Sequence, residues 1–330
     1  MKQKLIKFVR WPAFTALVLL IVLLLINEAL SPGYLTKTYI VNFLGSNGPM
    51  MIACLGLAVV LICGGMDISV GALMGLINVI YVTMSMKGMS TALTLICCVV
   101  IGTACGLLNG VCVALFRITP ILTTFATSYI FKGLALYIMP SPTGAVPKGI
   151  LSWYYSWLGG FGGPLTFILL AVILWLIIKR TRLGVMLYAI GASKQNAYVS
   201  GIPVSKVNLF SYTFAGFVYT LAALAMTTYC SGGDATIAEA ITMKAIAACV
   251  IGGVLLSGGV GDAIGACFGA ISLGLAITTV LAVVKSTYYQ NLATGVLMLV
   301  AVVGCTLINR VIAKKTAQGR EKVNEDEEAE

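Results

Sequence analysis

Charged residues are scarce in this chain of 330 residues: they make up 10% of the sequence, and histidine is absent. A soluble globular domain is about a quarter charged and about half apolar. Here 59% of the residues are hydrophobic, which leaves too little polar surface to cover a water-soluble globule. The composition therefore predicts an all-α, polytopic membrane protein and excludes a separate soluble catalytic domain.

Several kinds of active site are also missing from the sequence. No Gly-x-x-x-x-Gly-Lys-Ser/Thr segment occurs, so the chain has no P-loop for ATP. Without histidine the commonest general base is missing, and no Cys-x-x-Cys pair points to a metal site. Most of the ten cysteines lie in apolar stretches, where cysteine behaves as a small buried residue. We therefore expect no enzyme and no metal or other cofactor in this chain.

The net charge of +10 comes largely from three basic clusters. They lie before the first apolar run (2–10), in a central polar segment (179–206) and after the last apolar run (310–315). Basic residues in short flanks and loops mark the cytoplasmic side of a membrane. We interpret the charge as topology rather than as a nucleic-acid site, and we expect both termini in the cytoplasm.

Stretches of about 20 mostly apolar residues are long enough to cross a bilayer, and we place ten of them. The predicted spans are 12–30, 43–64, 68–86, 91–115, 118–139, 164–179, 207–229, 242–257, 262–284 and 288–308. An even number of spans brings all three basic clusters to one side of the membrane. The predicted transmembrane domain covers residues 1–315, and a charged, disordered cytoplasmic tail covers residues 316–330.

Glycines four residues apart recur in the fourth and ninth predicted spans, at 102, 106 and 110 and at 261, 265 and 269. This spacing places a glycine stripe on one face of a helix and allows close packing. The two spans are five apart in order and run in opposite directions. The pattern suggests two five-span halves related by an inverted repeat.

An acidic residue and irregular backbone fall between the second and third predicted spans, at Gly64-Gly65-Met66-Asp67-Ile68-Ser69-Val70-Gly71. Charge at membrane depth is costly, and irregular backbone is tolerated there only in protein or beside a cavity. We therefore predict a helix break next to a solute pathway, formed by Gly64, Gly65, Asp67, Ser69 and Gly71. Asp67 could cap the next helix together with Ser69, contact the solute directly, or bind a proton or sodium ion.

Two further segments are candidates for function. Asn47, Asn78, Asn109 and Thr124 could present amide and hydroxyl groups to a polar solute, although helices that are apolar all round do not reveal which side chains face inward. The central segment 188–204 could form a short helix that begins at Ser193 and ends before Gly201. Such a helix, held between two spans, would act as a lever for a partner protein; otherwise the segment is a plain connecting loop.

These segments resemble the ribose-type permease subunits of bacterial ATP-binding-cassette importers. That family carries Gly-Gly-Ile-Asp-Leu-Ser-Val-Gly, which is similar to residues 64–71. It also carries a coupling segment, Ile-Gly-Gly-Asn-x-Glu-Ala-Ala-x-x-Ser-Gly-Ile, which is similar to residues 190–202. The resemblance runs over about residues 40–310 and implies a permease that imports a simple sugar or a related polyol across the cytoplasmic membrane.

The resemblance also implies partners. A cytoplasmic ATP-binding subunit would bind the ATP and dock on the coupling segment, an external solute-binding protein would deliver the solute, and a second permease copy or a paralogue would complete the pathway. The implied coupling residues are Gly191, Ala192, Ser193, Gln195, Ala197, Ser200, Gly201 and Ile202. Gln195 and Asn196 stand where the family has Glu and Ala, so the docking helix lacks its acidic residue. The alternative is an ion-coupled secondary transporter that uses Asp67.

Overall fold

A computed structural model describes residues 14–30 and 33–284, together with six positions between 292 and 304. This part of the chain is helical, and it contains one isolated β-bridge, between Thr143 and Gly233, but no strand. The α-helices are α1 (Phe14–Leu30), α2 (Lys37–Ile62), α3 (Val70–Met86), α4 (Thr91–Ala114), α5 (Pro120–Ile138), α6 (Lys148–Ser156), α7 (Gly162–Lys179), α8 (Arg182–Ala192), α9 (Lys194–Val199), α10 (Val204–Cys230), α11 (Ile241–Ile251) and α12 (Ala263–Val284). A 3-10 helix covers Trp157–Gly160.

Six of these helices are long and apolar enough to cross a membrane. They are α2, α4, α5, α7, α10 and the stretch Ala263–Val280 of α12. The shorter α1 and α3 lie where the spans 12–30 and 68–86 were predicted. The tenth predicted span, 288–308, has only the six isolated described positions, and the tail over 316–330 lies outside the described residues.

The eighth predicted span, 242–257, is wrong as a spanning helix. In the structure α11 has 11 residues, which is about 16 Å of helix against a hydrocarbon core of about 30 Å. The helix stops because the chain turns at Gly253, where φ is +83°. The amide of Val254 then donates to the carbonyl of Cys249, as in a glycine-terminated helix end.

Two long helices form the centre of the bundle. α2 is buried at every position from Gly48 to Ile62, as expected of a helix that is apolar all round. α10 packs against α2, α3 and α4, and its small side chains allow this close approach on several sides. The contacts place α2 and α10 at the core and leave α4 and α5 mostly exposed at the periphery.

The predicted glycine stripe of α4 packs against α10. A Cβ atom at Gly106 would lie 2.5 Å from the carbonyl oxygen of Tyr212 and 2.8 Å from the Cα atom of Gly216. Because both neighbours are backbone atoms, no change of rotamer relieves the clash. The stripe is therefore a packing face and not a binding site.

We predict that Gly106→Ala lowers the stability of the protein by about 1–3 kcal/mol, the usual cost of overpacking. Helix propensity alone predicts the opposite sign, because alanine favours a helix over glycine by about 1 kcal/mol. Gly133→Ala in α5 is the matched control, since no atom lies within 4 Å of its added Cβ. Thermal unfolding of the purified protein in detergent measures both variants. Equal unfolding temperatures would contradict the close contact.

Candidate functional site

The helix break, residues 63–69, separates α2 from α3. Gly64 has a φ of +79°, a conformation that strains most residues with a side chain. The amide of Gly64 donates to the carbonyl of Leu61 at 2.8 Å, and the amide of Gly65 donates to that of Val60 at 2.9 Å. These two bonds close the end of α2, and the chain then continues without helical hydrogen bonds as far as α3.

Side chains from three other helices satisfy the backbone of the break. The Tyr212 hydroxyl of α10 donates to the carbonyl of Met66 at 3.1 Å and accepts from its amide at 3.3 Å. Thr124 of α5 accepts from the amide of Ile68 at 3.0 Å. Thr242 of α11 accepts from the amide of Gly71 at 2.9 Å. Each of these polar backbone groups would be costly inside a membrane without a partner.

Asp67 is 1% exposed, and its carboxylate accepts hydrogen bonds from Ser69 within the break. Its Oδ1 atom accepts from the Ser69 amide at 2.8 Å and from the Ser69 hydroxyl at 2.6 Å. The Asn109 amide group in turn donates to the Ser69 hydroxyl at 2.9 Å. This is the local turn that aspartate commonly makes with a residue two positions later. Among the described residues Asp67 forms no ion pair, so its visible role is to hold the start of α3.

The polar side chains predicted to contact solute lie inside the helical packing. Asn109 and Thr124 belong to the break, as described above. Asn78 binds Thr227 and Gly232 and accepts from the amide of Asp234 at 2.8 Å. Asn47 donates to the carbonyl of Phe43 in its own helix. Solute contact by these four residues stays a prediction.

The coupling segment, residues 188–204, contains the end of α8, all of α9 and the start of α10. Ser193 begins the short α9, and its hydroxyl accepts from the amide of Asn196 at 3.3 Å. The helix ends at Val199, before Gly201 with its φ of +78°. The predicted short helix is therefore confirmed, whereas the preceding α8 was not predicted. Tyr198 and Val199 are 72% and 77% exposed at its tip.

Four glycines from three parts of the chain meet in what we call the glycine junction: Gly64, Gly191, Gly258 and Gly259. A Cβ at Gly258 would lie 2.7 Å from Cα of Gly64 and 3.1 Å from Cα of Gly191. A Cβ at Gly191 would clash with the carbonyl oxygen of Ile62 and the amide nitrogen of Gly259. The amide of Gly259 donates to that same Ile62 carbonyl at 2.9 Å. The coupling segment thus touches the helix break backbone to backbone.

A buried acid fastens the second glycine-rich turn, residues 252–262. Asp262 is 3% exposed; it accepts from the indole of Trp175 at 3.0 Å and pairs with Lys179 at 2.6 Å. The Tyr188 hydroxyl of α8 donates to the carbonyl of Gly261 at 2.8 Å. Burial, and secondarily the charge of Asp262, raise the pKa of the Tyr188 phenol, which keeps it protonated as a donor. Side chains at the C-terminal end of α7 and in α8 therefore hold the second glycine-rich turn in place.

An open groove of about 200 Å³ lies between α3, α5 and the segment 235–243. Its lining includes Phe125, Ser128, Tyr129, Lys132, Glu239 and Thr242. The Lys132 ammonium and the Glu239 carboxylate are 2.6 Å apart, and their side chains are 40% and 49% exposed. Lys132 is a charged residue within the fifth predicted span, but nothing in the sequence identified Glu239 as its partner.

Comparison of the sequence with known proteins identifies a family and several relatives. The family model described as branched-chain amino acid transport system / permease component matches residues 39–302. The chain is 32% identical over 287 residues to the ribose import permease protein RbsC of Bacillus subtilis, covering 86% of this chain and 89% of that protein.

Two further relatives carry other names. The autoinducer 2 import system permease protein LsrD of Photorhabdus luminescens is 28% identical over 261 residues, 77% of this chain and 78% of that protein. The galactose/methyl galactoside import permease protein MglC of Escherichia coli is 29% identical over 306 residues, 86% of this chain and 91% of that protein. No solved structure matches the chain.

The geometry of Asp67 predicts different effects for two substitutions. Asp67→Asn keeps an oxygen that accepts from both Ser69 groups, so we expect little loss of stability. Asp67→Ala removes that acceptor and leaves a buried amide without its partner, which costs about 1–3 kcal/mol. Thermal unfolding in detergent compares the two variants. If asparagine is as destabilising as alanine, the negative charge matters more than the hydrogen bonds, contrary to this interpretation.

Proposed function

The chain belongs to the branched-chain amino acid transport system / permease component family, and on that basis we propose that it is the membrane-spanning permease subunit of an ATP-binding-cassette importer for a simple sugar or a related polyol. The match covers most of the chain. The relatives described above are named as import permeases for ribose, autoinducer 2 and galactose or methyl galactoside. The permease forms the pathway, and ATP is bound by a separate subunit.

The observation that carries this proposal is the glycine junction. A permease without a nucleotide site needs a mechanical connection between its docking surface and its pathway. At Gly191 the backbone of α8 lies directly against Ile62 and Gly259, with no side chain between them. Because packed backbones do not deform continuously, displacement of the coupling segment displaces the helix break with it.

The coupling segment is the docking site for the ATP-binding subunit. The residues assigned to it are Gly191, Ala192, Ser193, Gln195, Ala197, Ser200, Gly201 and Ile202. Gln195 and Ser200 are exposed, Ala197 is buried beneath the helix, and the tip is the apolar pair Tyr198 and Val199. This surface offers a partner apolar contacts and uncharged hydrogen bonds, together with one positive charge at the exposed Lys194.

The wider arrangement follows from the same assignment. The transmembrane domain covers 1–315 with ten membrane segments, the eighth of which combines α11 with the non-helical segment 232–240 before it. The tail 316–330 is cytoplasmic, and both termini lie on the side of the ATP-binding subunit. A solute-binding protein delivers the sugar on the opposite side, and a second permease copy or a paralogue completes the pathway. Lys179, Lys194 and Lys206 lie close in sequence to the glycine junction, which supports a cytoplasmic position for it.

The ion-coupled transporter and the inverted repeat, both considered from the sequence, have less support from the structure. In the ion-coupled transporter Asp67 would bind a proton or sodium, but its Oδ1 atom is engaged by two hydrogen bonds from Ser69. The inverted repeat stays a prediction. The glycine-rich turns at 64–71 and 252–262 meet at one end of the bundle, so they are not equivalent elements of two inverted halves.

Gly191→Ala tests the coupling role. The added Cβ forces α8 away from Ile62 and Gly259, so we expect ATP-driven uptake to fall about tenfold, a typical size for lost coupling between two sites. The measurement is uptake of radiolabelled ribose or galactose into proteoliposomes that contain the permease, its ATP-binding subunit and the solute-binding protein. Co-purification of the ATP-binding subunit should be retained.

Gly149→Ala in α6 is the control, because no atom lies within 4 Å of its added Cβ. Uptake by Gly191→Ala at the level of this control would contradict a mechanical role for the junction. Concentrative uptake by the permease alone, without the ATP-binding subunit, would contradict the proposed function itself.

A further inference from the structure

The groove beside α5 carries an exposed ion pair inside a membrane-spanning helix. α5 has 19 residues, or about 28 Å of helix, which matches the hydrocarbon core of about 30 Å. Lys132 lies six residues before the end of α5 at Ile138, about 9 Å inside that end. A charged side chain facing lipid at this depth is costly. The groove must therefore face water or protein in the assembled transporter.

Glu239 reaches the groove because the chain turns back into the bundle after α10. The segment 232–242 follows α3 through three successive contacts. These contacts are Asn78 with Asp234, Gly75 with Ala235, and Gly71 with Ala238. At Gly75 the added Cβ would lie 2.5 Å from the carbonyl oxygen of Ala235. The glycine face of α3 thus fixes the backbone that presents Glu239 and Thr242 to the groove.

The lining combines the hydrogen-bond donors, acceptors and apolar surface that bind a neutral polyol. Lys132 donates hydrogen bonds and Glu239 accepts them, so together they can bind hydroxyls of both orientations. Phe125 and Tyr129 form an edge-to-face pair with ring centroids 5.0 Å apart, which offers an apolar wall to the C–H face of a sugar ring. The two charges cancel, so neither an anion nor a cation is favoured.

The size of the groove points to a small solute. Its volume is about 200 Å³. Drug-sized ligands occupy about 300–1,000 Å³. A single monosaccharide or polyol of similar size suits the space.

The groove also shares residues with the helix break. Ile68 lines the groove, and its amide donates to Thr124 at 3.0 Å. Thr242 lines the groove from the other side, and its hydroxyl binds the amide of Gly71. Movement of the break therefore moves two walls of the groove.

We propose that this groove is the site at which the solute binds within the membrane, with Lys132 and Glu239 exchanging their mutual ion pair for hydrogen bonds to the hydroxyls of a neutral polyol. The inference rests on the proposed function and adds the location and the binding residues. It assigns to Lys132 and Glu239 the solute contacts that the sequence suggested for Asn47, Asn78, Asn109 and Thr124.

The first test asks whether the groove is wet, and it needs no solute. Ser128→Cys places a thiol in the groove, and Ile130→Cys places one at nearly the same depth, about 200° around α5. The assembled importer in vesicles is treated with a charged methanethiosulfonate reagent during ATP turnover, with the parent chain and its ten cysteines as background. We expect position 128 to react about tenfold faster, because the reactive thiolate requires water. Equal rates would overturn the groove as a solute site.

The second test separates solute binding from a structural ion pair. Lys132→Met should lower ribose or galactose uptake about tenfold or more, the loss expected when a hydrogen bond from a charged group to the solute is removed. Lys132→Arg should retain most uptake, since it keeps the charge and the donors. The double variant Lys132→Met, Glu239→Gln has no unpaired charge. If it restores uptake to the parent level, the pair is only structural and the proposal is overturned; uptake that stays low supports it.

Two controls distinguish a failure of the proposed solute site from a failure of the proposed function. Co-purification of the ATP-binding subunit shows that each variant assembles. If the parent importer moves neither sugar while Ser128→Cys still reacts faster than Ile130→Cys, the proposed substrate class fails. The thiol result then still supports a water-filled groove.

Discussion

Backbone hydrogen bonding is the constraint on which this structure depends. A helix that breaks inside a membrane protein exposes amide and carbonyl groups that lipid cannot satisfy. Here the partners are Tyr212, Thr124 and Thr242, one from each of α10, α5 and α11, together with the local turn of Asp67. The break is therefore a fixed corner shared by five helices: α2 and α3, which it connects, and α5, α10 and α11, which bind it. Any movement of this corner requires those helices to move with it.

Glycines allow other segments of the chain to pack directly against the helix break. At the junction of Gly64, Gly191, Gly258 and Gly259, backbones from the break, the coupling segment and the second glycine-rich turn lie in contact. On the opposite side of the break, Gly71 and Gly75 admit the chain segment that carries Glu239. One set of glycines thus joins the break to the proposed docking surface, and the other joins it to the groove. This arrangement gives a passive permease a continuous path from its motor to its solute.

The sequence was a good guide to features that depend on local chemistry. Apolar length placed most of the helices within a few residues, since hydrophobic spans end at glycine, proline or charge. The start of α9 at Ser193 was also predictable, because capping depends on residues two or three positions away. The predicted cap of α3 is confirmed only for Asp67, which accepts from the amide of Ser69; the Ser69 side chain accepts no capping hydrogen bond. The eighth span failed because the apolar run continues past Gly252 and Gly253, whereas the helix does not.

The sequence did not predict features that depend on how the helices pack against one another. The helices here are apolar nearly all round, so the sequence periodicity did not show which neighbouring helix Tyr212, Thr242 or Asn78 would face. The partner of Lys132 lies in a different segment, and the glycines of the junction come from three separate stretches. Single glycines in a membrane protein carry too little information to be paired without the tertiary structure.

The central claim is that the coupling segment and the glycine junction, to which Gly64 of the helix break belongs, move as one unit and thereby reshape the groove. Spin labels introduced as unnatural amino acids avoid the native cysteines and give distances in the assembled importer, with and without nucleotide. The pair Tyr198 and Leu256 spans the junction, and the pair Tyr129 and Met243 spans the groove; all four positions are exposed. We predict that nucleotide changes the groove distance and leaves the junction distance unchanged. A changing junction distance with a constant groove would contradict the account.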